Sequence, residues 1–144
     1  FERGDASLAV GLLTNDGEQG YEHWRKNGAT TFHEYWDSNR SRSHNHPMFG
    51  AATAYFFEYL LGIKQTKDSA GYASVIIAPE AVSCFTKMSG SMTVPAGTIA
   101  VSYENTASRV SFSISIPKNT SAKFLYKDKE IVLSEGKNEF ELAE

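Results

Sequence analysis

The sequence predicts an α+β chain in which N-terminal helices are followed by an antiparallel β-sandwich. Three observations carry this expectation. Apolar residues recur at three-to-four spacing from Asp5 to Ile63, the period of a helix with one buried face. From Gly71 onward the period becomes two, and "RVSFSISIP" (109–117) alternates Val110, Phe112, Ile114 and Ile116 with three serines, as a strand with one wet face does. Between the two regions lies the polar run "KQTKDSA". The expected division is therefore terminal helices over 1–63, a linker over 64–70, and a sandwich over 71–144.

Each element has a local reason. Asp5 or Ser7 is suited to cap a helix whose apolar face is Leu8, Leu12 and Leu13, because a short oxygen-bearing side chain accepts from the free N–H groups of a first turn. "TNDGEQG" reads as a turn, and "YEHWRKNG" as a second helix stopped at Asn27-Gly28. Pro47 fits the first position of a third helix, where its missing N–H costs nothing. Phe49, Ala52, Phe56, Tyr59 and Ile63 then form one continuous apolar face of that helix, and Gly62 suits a left-handed cap. Downstream, "TIAVSYE" (98–104) places Ile99, Val101 and Tyr103 on one face. "SAKFLYK", "KEIVLSE" and "NEFELAE" are shorter strands separated by turn residues, which together predict about six to eight strands.

Composition narrows the function classes. The chain has 144 residues with 41% hydrophobic and 22% charged content, enough for one real core. A net charge of −3 gives no general attraction to nucleic acid or to an anionic membrane surface, and no apolar run reaches the roughly 18 residues of a membrane span. The single cysteine, Cys84, excludes an internal disulfide and a multi-cysteine metal site. Placed between Ser83 and Phe85, it reads as a buried thiol. The chain opens on Phe1 with no signal-peptide pattern, as a piece of a longer protein would.

Candidate chemistry concentrates in "GATTFHEYWDSNRSRSHNHPMFGA" (28–51), which holds acids, histidines, arginines and aromatics. Two readings of Glu34 stand. Thr31-Phe32-His33-Glu34 matches a capping box, in which the glutamate three residues after a threonine serves a helix start; a carboxylate there can equally serve acid–base chemistry. His44 and His46 flank Asn45, with His33 and His23 upstream. A metal would need a third ligand close by, and the helical i, i+4 zinc spacing is missing, so polar loop or substrate contacts are expected there rather than a metal or cofactor. Trp24 and Trp36 are candidates for core or for a sugar-stacking platform. Asn39-Arg40-Ser41 and Asn119-Thr120-Ser121 match the glycosylation acceptor pattern, which is frequent by chance.

These residues carry a resemblance. "GATTFHEYWDS", "SHNHPMFGA" and "YLLGI", continued by "GYASVIIAP", "VPAGTIAVSYE" and "VSFSISIP", resemble the end of the catalytic domain and the closing β-domain of bacterial α-L-rhamnosidases, glycoside hydrolase family 78. The resemblance implies the last helices of an (α/α)₆ barrel, a C-terminal β-sandwich, and a parent enzyme that removes terminal α-L-rhamnose with inversion, without a cofactor. It assigns the general base to Glu34 and sugar contacts to His46, with Asn45 beside it, and to Trp36. His33 stands where the family usually has Trp, so that this wall of the sugar pocket differs. The general acid lies upstream in the family and is absent from this chain. On this reading the partners are a rhamnose-containing saccharide and the rest of the barrel, and helices short of their barrel neighbours would favour self-association.

Overall fold

The computed structural model describes residues 1–2, 4–40, 42–82 and 84–143. Ser41 of the first acceptor pattern, Ser83 beside Cys84, and Glu144 of the last predicted strand lie outside them. The chain divides into two compact units, 1–55 and 56–144.

In the first unit, α1 (Ala6–Leu13) is capped as its sequence predicts: Leu8 N donates to Asp5 Oδ1 at 2.8 Å. Its expected apolar face is not the one buried. Leu8 and Leu12 are 60% and 63% exposed, and Val10 is the buried residue. Eight residues give barely two turns, too few for the Leu8–Leu12–Leu13 spacing to force which side is covered. Helix α2 (Tyr21–Lys26) ends at Asn27-Gly28 as expected, with Gly28 at φ +80°.

The third helix departs from the expectation. Pro47 does sit at its first turn, but Pro47–Ala51 is a 3₁₀ helix, Ala52–Tyr55 (α3) is a single α turn, and in the second unit Phe56–Leu60 is a π turn. The last of these is closed by Leu61 N donating to Phe56 O at 2.9 Å, one residue wider than an α turn. Three pitches in succession break the predicted stripe: Phe56 is 38% exposed, and Ile63 has left the helix for a strand. Gly62 makes the turn. It has φ +71°, and a Cβ there would stand 2.1 Å from Ala78 C, so only glycine fits. The bond from Ala78 N to Gly62 O (2.8 Å) sends the chain into the sheet.

The second unit contains two four-stranded sheets. One orders β1 (Ile63–Gln65), β2 (Ser74–Ile77), β6 (Ser121–Tyr126) and β7 (Lys129–Leu133); the other orders β3 (Lys87–Val94), β4 (Gly97–Asn105), β5 (Arg109–Ile116) and β8 (Gly136–Ala143). The linker expected over 64–70 thus begins as strand: Lys64 and Gln65 pair with Ile76 and Val75. Pairing is antiparallel except that β2 and β6 run parallel, because the chain lays down the whole β3–β4–β5 meander in the other sheet before returning beside β2.

The alternation read from the sequence fills the core. Ile99, Val101 and Tyr103 of β4 and Val110, Phe112, Ile114 and Ile116 of β5 are all buried, against Val75, Ile77, Phe124 and Leu133 of the opposite sheet. Burial, with Cys84 and Tyr126 nearby, pushes the Tyr103 phenol up to about 12, and its hydroxyl donates to Met88 Sδ at 3.7 Å. Cys84 itself is exposed, not buried. It belongs to the connection before β3 rather than to a strand, so the apolar neighbours in sequence do not enclose it. No helix among the described residues is long and apolar enough to cross a membrane.

Candidate functional site

The chemistry-bearing segment is a loop laid over an aromatic cluster of the first unit. Trp24, only 2% exposed, projects from α2 and donates Nε1–H to the carbonyl of Trp36 at 2.9 Å. The two indoles lie 4.6 Å apart, and Trp36 is 4.4 Å from Phe49. Tyr21 meets Trp36 edge-on at 5.3 Å and donates to Phe49 O at 3.0 Å. Such ring pairs add to simple burial and fix the loop where it crosses them. Trp24 is therefore core, whereas Trp36 is half-buried and serves both the cluster and the surface above it.

The loop closes on itself like an irregular hairpin. His46 N donates to Phe32 O at 2.7 Å, and Glu34 N to Ser43 O at 2.9 Å. Ser43 N returns a bond to Glu34 Oε2 at 3.1 Å, Asn45 N donates to Ser43 Oγ at 3.2 Å, and Thr31 Oγ donates to His44 O. The capping-box reading of Glu34 fails here: the described residues of 28–46 contain no helix, and Thr31 and Glu34 each serve the 43–44 side of the loop. His46 is the N-cap residue of the turn at Pro47 but makes no capping bond with its side chain. The Thr-x-x-Glu spacing was satisfied by cross-loop bonds that compete locally with helix formation.

Beside this hairpin opens a cleft of about 820 Å³, lined among others by His23, Asn27, His33, Trp36, Asp37 and His44. Two of the expected site residues, Trp36 and His33, line it. Glu34, Asn45 and His46 do not, although the cross-loop bonds hold them within the same hairpin. His33 is 7% exposed. Its Nδ1 lies 2.9 Å from Ser38 Oγ, and its ring stacks on that of His44 at 4.3 Å and 22°. Burial, then the neighbouring His44, hold the His33 imidazole below its usual value. At the far side Asp37 folds the 37–40 turn, accepting from Asn39 N at 3.0 Å and pairing with Arg40 at 3.3 Å.

Of the other lining residues, His23 and His44 belong to the histidines expected to make polar loop or substrate contacts without being assigned a sugar contact, and Asp37 was not singled out. Their signal was the density of polar groups through the whole stretch, which does not say which of them turn inward. Among the described residues no group of three histidine, cysteine or acidic side chains is arranged to hold a metal. Chemically, the cleft offers hydrogen-bond donors and acceptors beside an indole face, with a carboxylate fixed by a backbone N–H in the adjoining strand.

Comparison with known proteins agrees along nearly the whole chain. Residues 1–60 match the bacterial alpha-L-rhamnosidase 6 hairpin glycosidase domain, and residues 62–141 match the bacterial alpha-L-rhamnosidase C-terminal domain. An alpha-L-rhamnosidase of Formosa agariphila is 33% identical over 133 residues, an alignment that takes in 89% of this chain and 14% of that protein. The chain thus spans about a seventh of the length of this curated relative. Among solved structures, alpha-L-rhamnosidase from Dictyoglumus thermophilum superposes with a TM-score of 0.85 at 20% identity, over 99% of this chain and 19% of that one. Streptomyces avermitilis alpha-L-rhamnosidase, solved in complex with L-rhamnose, gives 0.85 at 20% identity over 98% and 16%. At these identities the structures show the fold. The match of residues 62–141 alone covers more than half of the sequence, and the chain belongs to the bacterial α-L-rhamnosidase family.

Proposed function

We propose that this chain is part of an α-L-rhamnosidase that hydrolyses terminal α-L-rhamnosides with inversion, and that it contributes the general-base side of the active site. The observation that carries the reading is the hairpin: Glu34, the acid in the GATT-x-x-E pattern, is tied by Ser43 N–H to the strand that bears Asn45 and His46, next to a polar cleft with an indole wall. Glu34 accepts a proton from the attacking water. His46, with Asn45, holds the sugar from the hairpin, and Trp36 with His33 forms the pocket wall.

Inversion requires a second carboxyl roughly 6.5–9.5 Å from the first, with water between one of them and the anomeric carbon. That general acid belongs to the rest of the protein, together with the remaining barrel helices, so the 144-residue chain alone is expected to be inactive. The residues from β1 (Ile63–Gln65) onward serve as the accompanying β-sandwich domain, and those before it as the barrel part.

The experiment is product stereochemistry. The full-length protein that carries this chain is mixed with an aryl α-L-rhamnoside, and proton NMR follows the first anomer released. β-L-Rhamnose appearing first, before mutarotation, is the expected result. First release of the α anomer would mean a covalent, retaining route in which Glu34 has another role, and absence of hydrolysis would favour an accessory carbohydrate-binding module.

A further inference from the structure

Of the histidines in the 28–51 stretch, His44 combines three properties that no other shows together. It is exposed, it lines the cleft, and its ring is held in place by a second imidazole stacked at 4.3 Å. Its backbone is equally fixed. Ser43 on one side donates its N–H to Glu34 Oε2 and accepts at its carbonyl from Glu34 N, His46 two residues on donates to Phe32 O, and Thr31 Oγ donates to the His44 carbonyl itself. A ring stacked on a fixed backbone has less freedom left to lose on binding.

His33 is the reason the ring stays there. At 7% exposure it contributes only a little surface to the cleft it lines. Its Nδ1 is engaged with Ser38 Oγ at 2.9 Å, and its ring also packs tilted against Trp24, with ring centres 5.5 Å apart. The Trp24–His33–His44 sequence of rings thus runs from the core of the unit to the cleft surface, with His33 as the middle member. A group so enclosed acts through the ring it supports.

We infer that His44 is a specificity-determining contact to a hydroxyl of the bound saccharide, and that His33 is the positioning residue that holds the His44 ring against the cleft. This rests on the rhamnosidase reading above. An imidazole held in this way can donate to or accept from a sugar hydroxyl, and its loss leaves the ground-state complex weakened more than the chemical step.

The test uses the full-length protein, an aryl α-L-rhamnoside for kinetics and L-rhamnose for equilibrium binding. His44→Ala should raise KM and the Kd for L-rhamnose by about 5–10-fold, the scale of one hydrogen bond, while kcat changes little. His33→Ala should give a similar KM increase, and His33→Phe, which keeps a flat ring for His44 to stack on, should recover most of it. The double variant His33→Ala/His44→Ala should be no worse than His44→Ala, because the two act through one contact. Thermal melting of each variant shows that the unit remains folded.

A KM for His44→Ala within about two-fold of the parent value would overturn the contact. Additive losses in the double variant, or no recovery with His33→Phe, would overturn the positioning role. Both results presuppose hydrolysis by the unsubstituted protein; if it does not turn over the rhamnoside, the enzyme reading itself fails and this inference falls with it.

Discussion

Replacing Phe112 with alanine should remove the ring on which the two sheets of the second unit meet. Phe112 belongs to β5, is 2% exposed, and faces Phe124 at 4.8 Å and Tyr126 at 5.1 Å from the opposite sheet, with Phe140 at 5.7 Å and Tyr103 at 6.1 Å in its own. Truncating a buried phenylalanine costs about 3–5 kcal/mol through lost transfer energy and the cavity left behind. The edge-on contacts to Phe124 and Tyr126 place this site in the middle to upper part of that range, about 4 kcal/mol. With a urea m-value of about 1.5 kcal/mol per molar, the midpoint of the sandwich transition falls by about 2–3 M. Urea titration followed by far-ultraviolet circular dichroism reads this directly, because among the described residues regular strand structure lies in that unit. Val132→Ala serves as the control: at 75% exposure it should shift stability by no more than about 0.5 kcal/mol. If Phe112→Ala moved the midpoint no further than Val132→Ala, the sheets could not be held by the core described above.

Three further outcomes are expected. Gly62→Ala should destabilise the second unit by well over 2 kcal/mol, since it adds a Cβ against the Ala78–Pro79 backbone to an unfavourable φ of +71°, whereas Gly136→Ala, at φ +88° with nothing within 4 Å, should cost only about 1–2 kcal/mol; equal urea midpoints for the two would contradict the close approach. The His33 imidazole is held below its ordinary 6.5 by burial and by His44, so the unfolded chain takes up this proton first, and the stability of the first unit should fall as pH drops through 6.5 and the lowered folded value. Both tryptophans lie in that unit, so urea midpoints by tryptophan fluorescence should decline less steeply with acidification in His33→Phe; an unchanged slope would assign the effect elsewhere. Hydrogen exchange should be slow for amides of Val110–Ile116, bonded on both sides by β4 and β8, and faster over Leu8–Trp24, where Leu8 and Leu12 lie open to water; the reverse order would contradict this.

How much of this was legible in the sequence depended on what enforces each feature. The alternation of Val110, Phe112, Ile114 and Ile116 gave strand β5 and its buried face, because a period of two leaves no second register that buries the same residues. The helix over Pro47–Ile63 was read as uniform because a list of apolar positions carries no information about pitch. Its 3₁₀, α and π turns follow one another without any break in the apolar spacing to mark them, and the stop at Gly62 is set by the Ala78–Pro79 backbone, remote in the chain. Strand β1 was hidden in a polar run for a similar reason: Lys64 and Gln65 are strand residues only because β2 lies beside them.

At the site, the sequence located the segment but not its geometry. Thr31 and Glu34 have the spacing of a capping box, and only the fold shows both engaged with Ser43 and His44 across the loop. Cys84 was misjudged because apolar neighbours in sequence stood in for neighbours in space. Nothing local in the sequence distinguishes His44 from His46; the stacked His33 does.

The most direct test is Glu34→Gln in the full-length protein, with steady-state hydrolysis of an aryl α-L-rhamnoside measured beside equilibrium binding of L-rhamnose. Glutamine keeps an oxygen to accept from Ser43 N–H but cannot take a proton from water. The expected result is a fall in kcat of about 10²–10⁴-fold with the Kd for L-rhamnose changed by no more than a few-fold. A kcat within about ten-fold of the unsubstituted protein would contradict the assignment of Glu34 as general base.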